Sequence, residues 1–525
     1  IRRQRQMCIR DRKKAAPLYK VLSDETKNAK ENCLMYNSII DFIENDTTKI
    51  KKILEKYLFA GNTLRFEEDL MRVMIEFGRK IYQECLKEIE ESIRQSEFRK
   101  KNYYVEHKAD RRTLLTTFGN LEIERAYYKP KNGGKSVYLL DKYVGLAPHD
   151  KVSLAVKTKF VEEAVETSYQ KGGEKACMTE DVVSKQTVKN TIHELEVELE
   201  EEIPVQKKKI KNLHIQADED HVALQFSKKK GDLTVNEMGR KSNTAMPKLI
   251  LLYEDIVRDG AEGCKRHKLV GKKYFGGLYE GSEKNEDLWL EVQQYIYDNY
   301  DTEYLENVYI AGDGAPWIVA GCRVLEKSKF VLDKYHLGKY IHKATTHLDD
   351  NQQAAKEFIY GAINERDFDG VMRLLQKCYA STDQEYKKKE VTECARYIKN
   401  NWLGIMVRID DGGAVWGCSA EGHISHVLSA RESSRPMGWS KKGVDRISRL
   451  RVLTRNEQKI IDLMEYQDKK QRKKNRIECE DQLIQDVQKR KSSRNEEVLR
   501  KAIPGLEKKQ FSWMRSIINA GGTIA

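Results

Sequence analysis

Three separated stretches carry the residues able to do chemistry. Asp218 and Asp220 close the apolar run that begins at Leu213. Strand side chains alternate with a period of two, so both acids are expected on one face. Asp313 ends a second apolar run, Val308-Tyr-Ile-Ala-Gly312, and is followed by Gly314-Ala-Pro-Trp317. That pattern reads as a strand delivering an acid to its carboxyl end before a turn into a helix, with glycines leaving room beside the carboxylate. Glu421 lies in the apolar, helix-like segment Ser419 to Leu428. Carboxylates in or beside apolar elements are costly to bury unless a cation neutralises them, and hard oxygen ligands favour Mg2+ or Mn2+. Two such ions ~4 Å apart activate an attacking oxygen and stabilise a leaving oxygen in phosphoryl transfer. The same acids also fit a plainer reading, with Asp313 capping a helix and the others facing solvent.

The elements that must position these acids form a series. Strand-like segments run from Leu213 to Phe226, Lys248 to Glu254, Lys268 to Tyr279, Val308 to Asp313 and Phe330 to His336. A helix with Leu288, Val292, Tyr295 and Ile296 on one face precedes the fourth of them, and another opens at Pro316. Strands in series and then alternating with helices predict an α/β mixed sheet covered by helices. Residues of about 345–405 return to helical patterning and interrupt it.

Upstream, helical spacing of Phe66, Leu70, Met74, Phe77, Ile81 and Ile89 predicts a packing or oligomerisation module. Phe118-Gly119-Asn120 between two alternating runs predicts a hairpin, whose Arg111, Arg112, Arg125 and Lys129 either touch DNA or serve the structure. Residues 152–203 read as three helices in the outline of a helix-turn-helix, with Ser184 capping the third and Val188 and Ile192 on its apolar face. Lys185, Gln186 and Lys189 would then read base edges; a packed bundle is the alternative.

The chain has 525 residues, 39% hydrophobic, which suffices for several cores. It has no apolar run of membrane-spanning length, so a cytoplasmic, membrane-free protein is expected. Ten cysteines without a C-x-x-C pair exclude a zinc-finger or disulfide framework and are expected as reduced, mostly buried thiols. The net charge of +13 sits at the ends: residues 441–510 hold 21 Lys and Arg against 12 Asp and Glu, and residues 1–12 hold five Arg and one Asp. Such a basic segment tracks a polyphosphate or is simply a solvated face.

Ala217-Asp218, Ala311-Gly-Asp313-Gly-Ala-Pro-Trp317, Leu332-Asp-Lys-Tyr-His336, Ala420-Glu-Gly-His423 and Ser433-Ser-Arg-Pro-Met-Gly-Trp439 occur in an order that resembles the transposases of ISLre-type bacterial insertion sequences. The likeness runs from about residue 111 to 450. The wider relatives are the Mutator-like DDE transposases, with a ribonuclease H-like fold interrupted by a helical insertion. The resemblance implies Asp218, Asp313 and Glu421 as catalytic, metal-binding acids for two Mg2+ or Mn2+ ions, with Asp220 an alternative first acid. It also implies Asp333 and His336 as an accessory D-x-x-H pair; Arg431 and Arg435 are expected as DNA contacts. The partners would be transposon ends and target DNA, bound by a homo-oligomer at the nucleoid.

The expected division is then a ribonuclease H-like mixed sheet (207–440, with its helical insertion), preceded by a helical region (13–105), a hairpin region (106–150) and a helix-turn-helix-like domain (151–206). A basic helical region (441–525) follows, ending near Gly521-Gly522. Residues 1–12 resemble the conceptual translation of a sequencing-adaptor end and are set apart as an artefact.

Overall fold

The computed structural model describes residues 37–199, 203–226, 234–235, 241–260, 267–415, 417, 419–435, 437–475 and 483–488. The leader 1–12 and the tail from 489 to the Gly521-Gly522 pair lie outside the described residues. The chain divides into two compact units: one takes residues up to 160, 170–184 and 464 onward, the other 161–169 and 185–463.

In the first unit, helix α1 (Thr63–Gln95) follows a run of short helical turns, and Asn62 caps it through the Arg65 N–H. Its apolar face packs on a hairpin of β1 (Tyr103–Thr116) and β2 (Gly119–Pro130). Thr116 pairs with Gly119 across the turn, and Gly119 has φ 93°, a backbone that favours glycine. Leu86, Ile93, Leu114, Leu121, Ile123 and Tyr128 form the core between helix and hairpin. The hairpin arginines divide. Arg112 and Arg125 are half-buried and paired with Asp141, with Arg112 also donating to Ala147 O at 3.0 Å, so both are structural cations. Arg111 lies exposed near Glu124.

The three helices expected over 152–203 form as α2 (Leu154–Glu166), α3 (Tyr169–Glu174) and α4 (Lys185–Glu194). They do not belong to one packing unit: α3 from Gln170 onward falls in the first unit and α4 in the second. Val188 and Ile192 are buried as expected.

The second unit is built on a five-stranded mixed sheet. Its strands are β3 (Asn212–Glu219), β4 (Lys248–Tyr253), β5 (Lys273–Gly277), β6 (Asn307–Gly312) and β7 (Ser328–Leu332). The order is β5-β4-β3-β6-β7, antiparallel from β5 to β3 and parallel from β3 to β7. Helix α5 (Ser282–Asn299) supplies the crossover into β6 and buries Leu288, Trp289, Val292 and Ile296 against Leu213, Ile215, Val308 and Ile310. Trp317 sits in this core, its carbonyl accepting from Trp289 Nε1 at 2.8 Å.

The helical interruption is longer than the sequence pattern suggested. It starts directly after β7 with α6 (Lys334–Thr345) and continues through α7 (Gln352–Asn364), α8 (Phe368–Ala380), α9 (Glu385–Asn400) and α10 (Trp402–Asp410). These helices share a core of Leu337, Ile341, Ile359, Val371, Leu375, Val391 and Ile398. On the sheet's other face, α11 (Ala420–Ile424) and the turns after it place Ile424, Val427 and Leu428 against Leu249, Leu251 and Tyr253.

The first helix of the basic C-terminal segment, α12 (Lys441–Arg455), packs on β5. Residue 441 is therefore no domain boundary, and α12's cations are partly structural. Arg451 is buried with its Nη1 on Val165 O and Glu166 Oε2, both at 2.9 Å, and Arg449 holds Asp445 at 2.9 Å. The five described cysteines are free thiols, of which only Cys378 and Cys394 are fully buried. Among the described residues no helix is long and apolar enough to cross a membrane.

Candidate functional site

Three acids meet at the carboxyl ends of three adjacent parallel strands, the edge where open α/β sheets bind ligands. Gln216 pairs with Ala311 across β3 and β6, and Asp218 and Asp313 each lie two residues further on. Gly312 pairs with Leu332 across β6 and β7, and Asp333 N–H donates to Gly312 O at 2.9 Å. Strands spaced ~4.8 Å apart thus bring Asp218, Asp313 and Asp333 level with one another.

Burial, with the Asp313 charge nearby, outweighs the hydrogen bond from Glu219 N–H and holds the Asp218 carboxyl up to about 6. Asp313 Oδ1 accepts from Ala315 N–H at 2.8 Å, which forms a local turn rather than a cap on the helix at Pro316. Gly314 beside it has φ 91°.

Asp333 and His336 differ from the expected strand. Asp333 is the N-cap of α6, its Oδ1 accepting from Tyr335 N–H at 3.2 Å, and His336 stands in the first helical turn. The imidazole Nδ1 lies 2.8 Å from Asp333 Oδ2. That hydrogen bond, with the charges of Asp333, Asp313 and Asp218, raises the His336 pKa against the opposing effect of burial. For Asp333, burial works upward, but the bonds from His336 and Tyr335 outweigh it and hold the carboxyl below its usual range.

Asp220 is engaged differently from Asp218. β3 stops at Glu219, and Asp220, 9% exposed, accepts from Ser433 Oγ at 2.8 Å and His221 N–H at 2.8 Å. The backbone keeps its register past Glu219, since Asp220 N–H donates to Pro247 O at 3.0 Å and Val222 pairs with Ala245, so what sets Asp220 apart is the bond its carboxylate accepts from Ser433. Glu421 is exposed on α11. Its helix is tied to the first strand through Gln216, whose Oε1 accepts from Ser419 N–H at 2.9 Å and Ser419 Oγ at 3.0 Å. Gln216 Nε2 in turn donates to Gly417 O at 3.1 Å and Tyr253 Oη at 3.0 Å. Among the described residues no three His, Cys, Asp or Glu side chains stand ready to enclose one metal ion.

The insertion buttresses the acid loops. Tyr397 Oη donates to Asp313 O, Asn401 packs against Gly314, and Arg408 donates to Leu332 O at 3.1 Å, one residue before Asp333. Sequence reasoning missed Gln216, Tyr397, Asn401 and Arg408. The only signal available was the four-residue spacing that puts Tyr397 and Asn401 on one helical face.

Of the expected DNA contacts, Lys185 and Gln186 are exposed on α4 and Lys189 is half-buried. Arg435 is exposed. Arg431 is 4% exposed, donates to Ala164 O at 3.0 Å and lies 4.7 Å from the Trp439 ring, so it is an interior cation rather than a surface contact. Next to it Glu432, 1% exposed, accepts from Ser448 Oγ at 3.0 Å; burial pushes its carboxyl up to about 8.

Fold and site together define a mixed α/β protein with an acidic centre at the carboxyl ends of its parallel strands. The chain belongs to the Uncharacterised protein family (UPF0236), which it matches over residues 60–470. It is 39% identical over 414 residues to UPF0236 protein TTE2489 of Caldanaerobacter subterraneus subsp. tengcongensis, covering 78% of this chain and 83% of that one. UPF0236 protein TTE0402 of the same organism is 38% identical over 447 residues, 84% of this chain and 85% of the relative. A third relative there, 38% identical over 432 residues (82% and 85% covered), carries eleven designations under one name, from TTE0033 to TTE2212.

Proposed function

We propose that this chain is a DDE-type DNA transposase that cuts the ends of an insertion sequence and joins the freed 3′-hydroxyl to target DNA. The observation that carries the reading is the level placement of Asp218 and Asp313 at the ends of neighbouring parallel strands. Support also comes from the strand order: numbered by appearance within the sheet, the strands run third, second, first, fourth, fifth, the arrangement expected of a ribonuclease H-like fold. Eleven designations under one name in a single organism fit an element present in many copies.

The hard carboxylate oxygens of Asp218 and Asp313 would suit a divalent cation. Burial penalises ionisation of Asp218 beside the Asp313 charge, and a cation bound there would remove that penalty. Asp218, Asp313 and Glu421 would hold such a cation, which would supply Lewis-acid activation of water and of the phosphate. The chain's own groups orient the rest. Gln216 and Ser419 fix the root of the Glu421 helix, and Tyr397 and Asn401 fix the Asp313 turn. His336, its pKa raised by Asp333, offers positive charge beside the phosphate. No covalent protein intermediate is required, because positioning and charge supply the catalysis.

The test uses the full chain, labelled DNA fragments taken from the flanks of its gene, and Mg2+ or Mn2+. Wild type is expected to nick the fragments and join them to a second DNA, whereas Asp313→Asn binds them but does neither. An Asp313→Asn protein that joins ends at the wild-type rate would falsify the assignment. Cut ends without joined products would identify a nuclease instead.

A further inference from the structure

Helix α6 has an exposed face that the acidic centre does not use. At 100° per residue, Tyr335, Lys339, His342 and Lys343 fall within ~100° of one another, opposite the buried Leu337, Ile341 and Ala344. Lys356, from α7, reaches the same stripe with its Nζ 2.9 Å from His342 Nδ1. Tyr335 stands at the acidic end of the stripe, 57% exposed, its N–H on Asp333 and its ring edge-on to His336 at a centroid separation of 5.4 Å.

The lysines of the insertion divide into paired and unpaired ones. Lys387, Lys388 and Lys389 on α9 each lie within 4.0 Å of a carboxylate, on Glu390, Glu385 and Glu393. Lys339, Lys343 and Lys356 have no ion-pair partner among the described residues. An unneutralised cationic row with an aromatic at one end is the arrangement that tracks a nucleic-acid strand, because cations meet phosphates in sequence-independent fashion and the ring stacks on any exposed base. The row ends at Asp349 and Asp350, which would repel a strand continuing straight along the helix axis.

We propose that this face of α6 carries the DNA strand leading away from the scissile phosphate, with Lys339, Lys343 and Lys356 on successive phosphates and Tyr335 stacked on a base unpaired beside the cut. The proposal rests on the transposase reading above and adds to it the surface and strand geometry. Lys339 to Tyr335 spans about one helical turn, ~6 Å of helix axis, so the first phosphate contact lies close to the stacked base.

The experiment measures binding of a fluorescein-labelled duplex with a single-stranded extension, and of its blunt counterpart, by full-length protein at several salt concentrations. Lys339→Gln with Lys343→Gln is expected to lower the salt slope for the extended probe by ~1.4, at ~0.7 per lost single-strand phosphate contact. Tyr335→Ala is expected to weaken the extended probe ~10-fold and the blunt one little, and Tyr335→Phe to restore binding. An unchanged slope in the lysine variant, or equal losses on both probes for Tyr335→Ala, overturns the proposal. Asp313→Asn on the same probes separates the two readings: lost cleavage with normal binding by the lysine variant leaves the chemistry standing and removes this surface.

Discussion

The hydroxyl of Tyr397, on the ninth helix, donates a 2.5 Å hydrogen bond to the main-chain carbonyl of Asp313, directly after the fourth strand of the sheet. A helix of the insertion therefore holds the backbone that carries the central acid. Tyr397→Phe deletes that one bond and keeps the ring stacked on Tyr340 at 4.0 Å. The expected outcome is a stability loss of ~1 kcal/mol, read by urea unfolding, with DNA cleavage reduced by more than that loss explains. Cleavage at the wild-type rate would mean the turn holds its shape without the tyrosine.

Gly314 tests the same contact from the other side. Its φ of 91° and the Asn401 side chain pressed against it leave no room for a Cβ. Gly314→Ala is expected to cost ~1 to 3 kcal/mol and to impair cleavage. Gly361→Ala, in a helix with open space around it, is the control and should be neutral or stabilising by up to ~1 kcal/mol. Equal thermal shifts in the two variants would contradict the fit of Asn401 on Gly314.

The first acid of the set is decided by Asp218→Asn against Asp220→Ala. Asp218 shares the field of Asp313 and His336, whereas Asp220 is bonded to Ser433. Asp218→Asn should abolish cleavage at nearly unchanged stability. Asp220→Ala should cost ~1 to 3 kcal/mol while cleavage persists at permissive temperature. The reverse pattern, with Asp220 indispensable for chemistry in a stable fold, would exchange their roles.

Glu432 gives the second unit a pH dependence. Its carboxyl is held up to about 8 by burial, against ~4.3 in an unfolded chain. Between those values the folded protein keeps a proton that the unfolded chain releases. Its contribution is therefore fully present below pH ~4.3 and is lost at ~1.4 kcal/mol per pH unit as pH rises towards 8. Glu432→Gln should remove that slope, measured by denaturant unfolding from pH 5 to pH 8. A slope unchanged by the substitution would mean that Arg431 and Arg451 keep Glu432 ionised in the fold.

The sequence by itself determined the strands that carry Asp218 and Asp313, because long apolar runs ending in an acid admit few other structures. It also located the crossover helix through Leu288, Val292 and Ile296, and the hairpin through its alternation. It misread Asp333 to His336 as strand, since Phe330-Val-Leu continues into residues whose type does not disclose that Asp333 caps a helix. It grouped Asp220 with Asp218 because alternation cannot reveal that a serine 213 positions away binds the Asp220 carboxylate. It left Arg112 and Arg125 open between DNA and structure and placed Arg431 at a DNA surface, because charge alone does not distinguish a solvated cation from one held on a carboxylate or carbonyl. Only the tertiary structure decided that Asp218, Asp313 and Asp333 stand level, that Gln216 anchors the helix of Glu421, and that Tyr397, Asn401 and Arg408 brace the loops. Those relationships depend on strand register and on helix packing between residues up to about 200 positions apart, distances over which local sequence pattern carries no information.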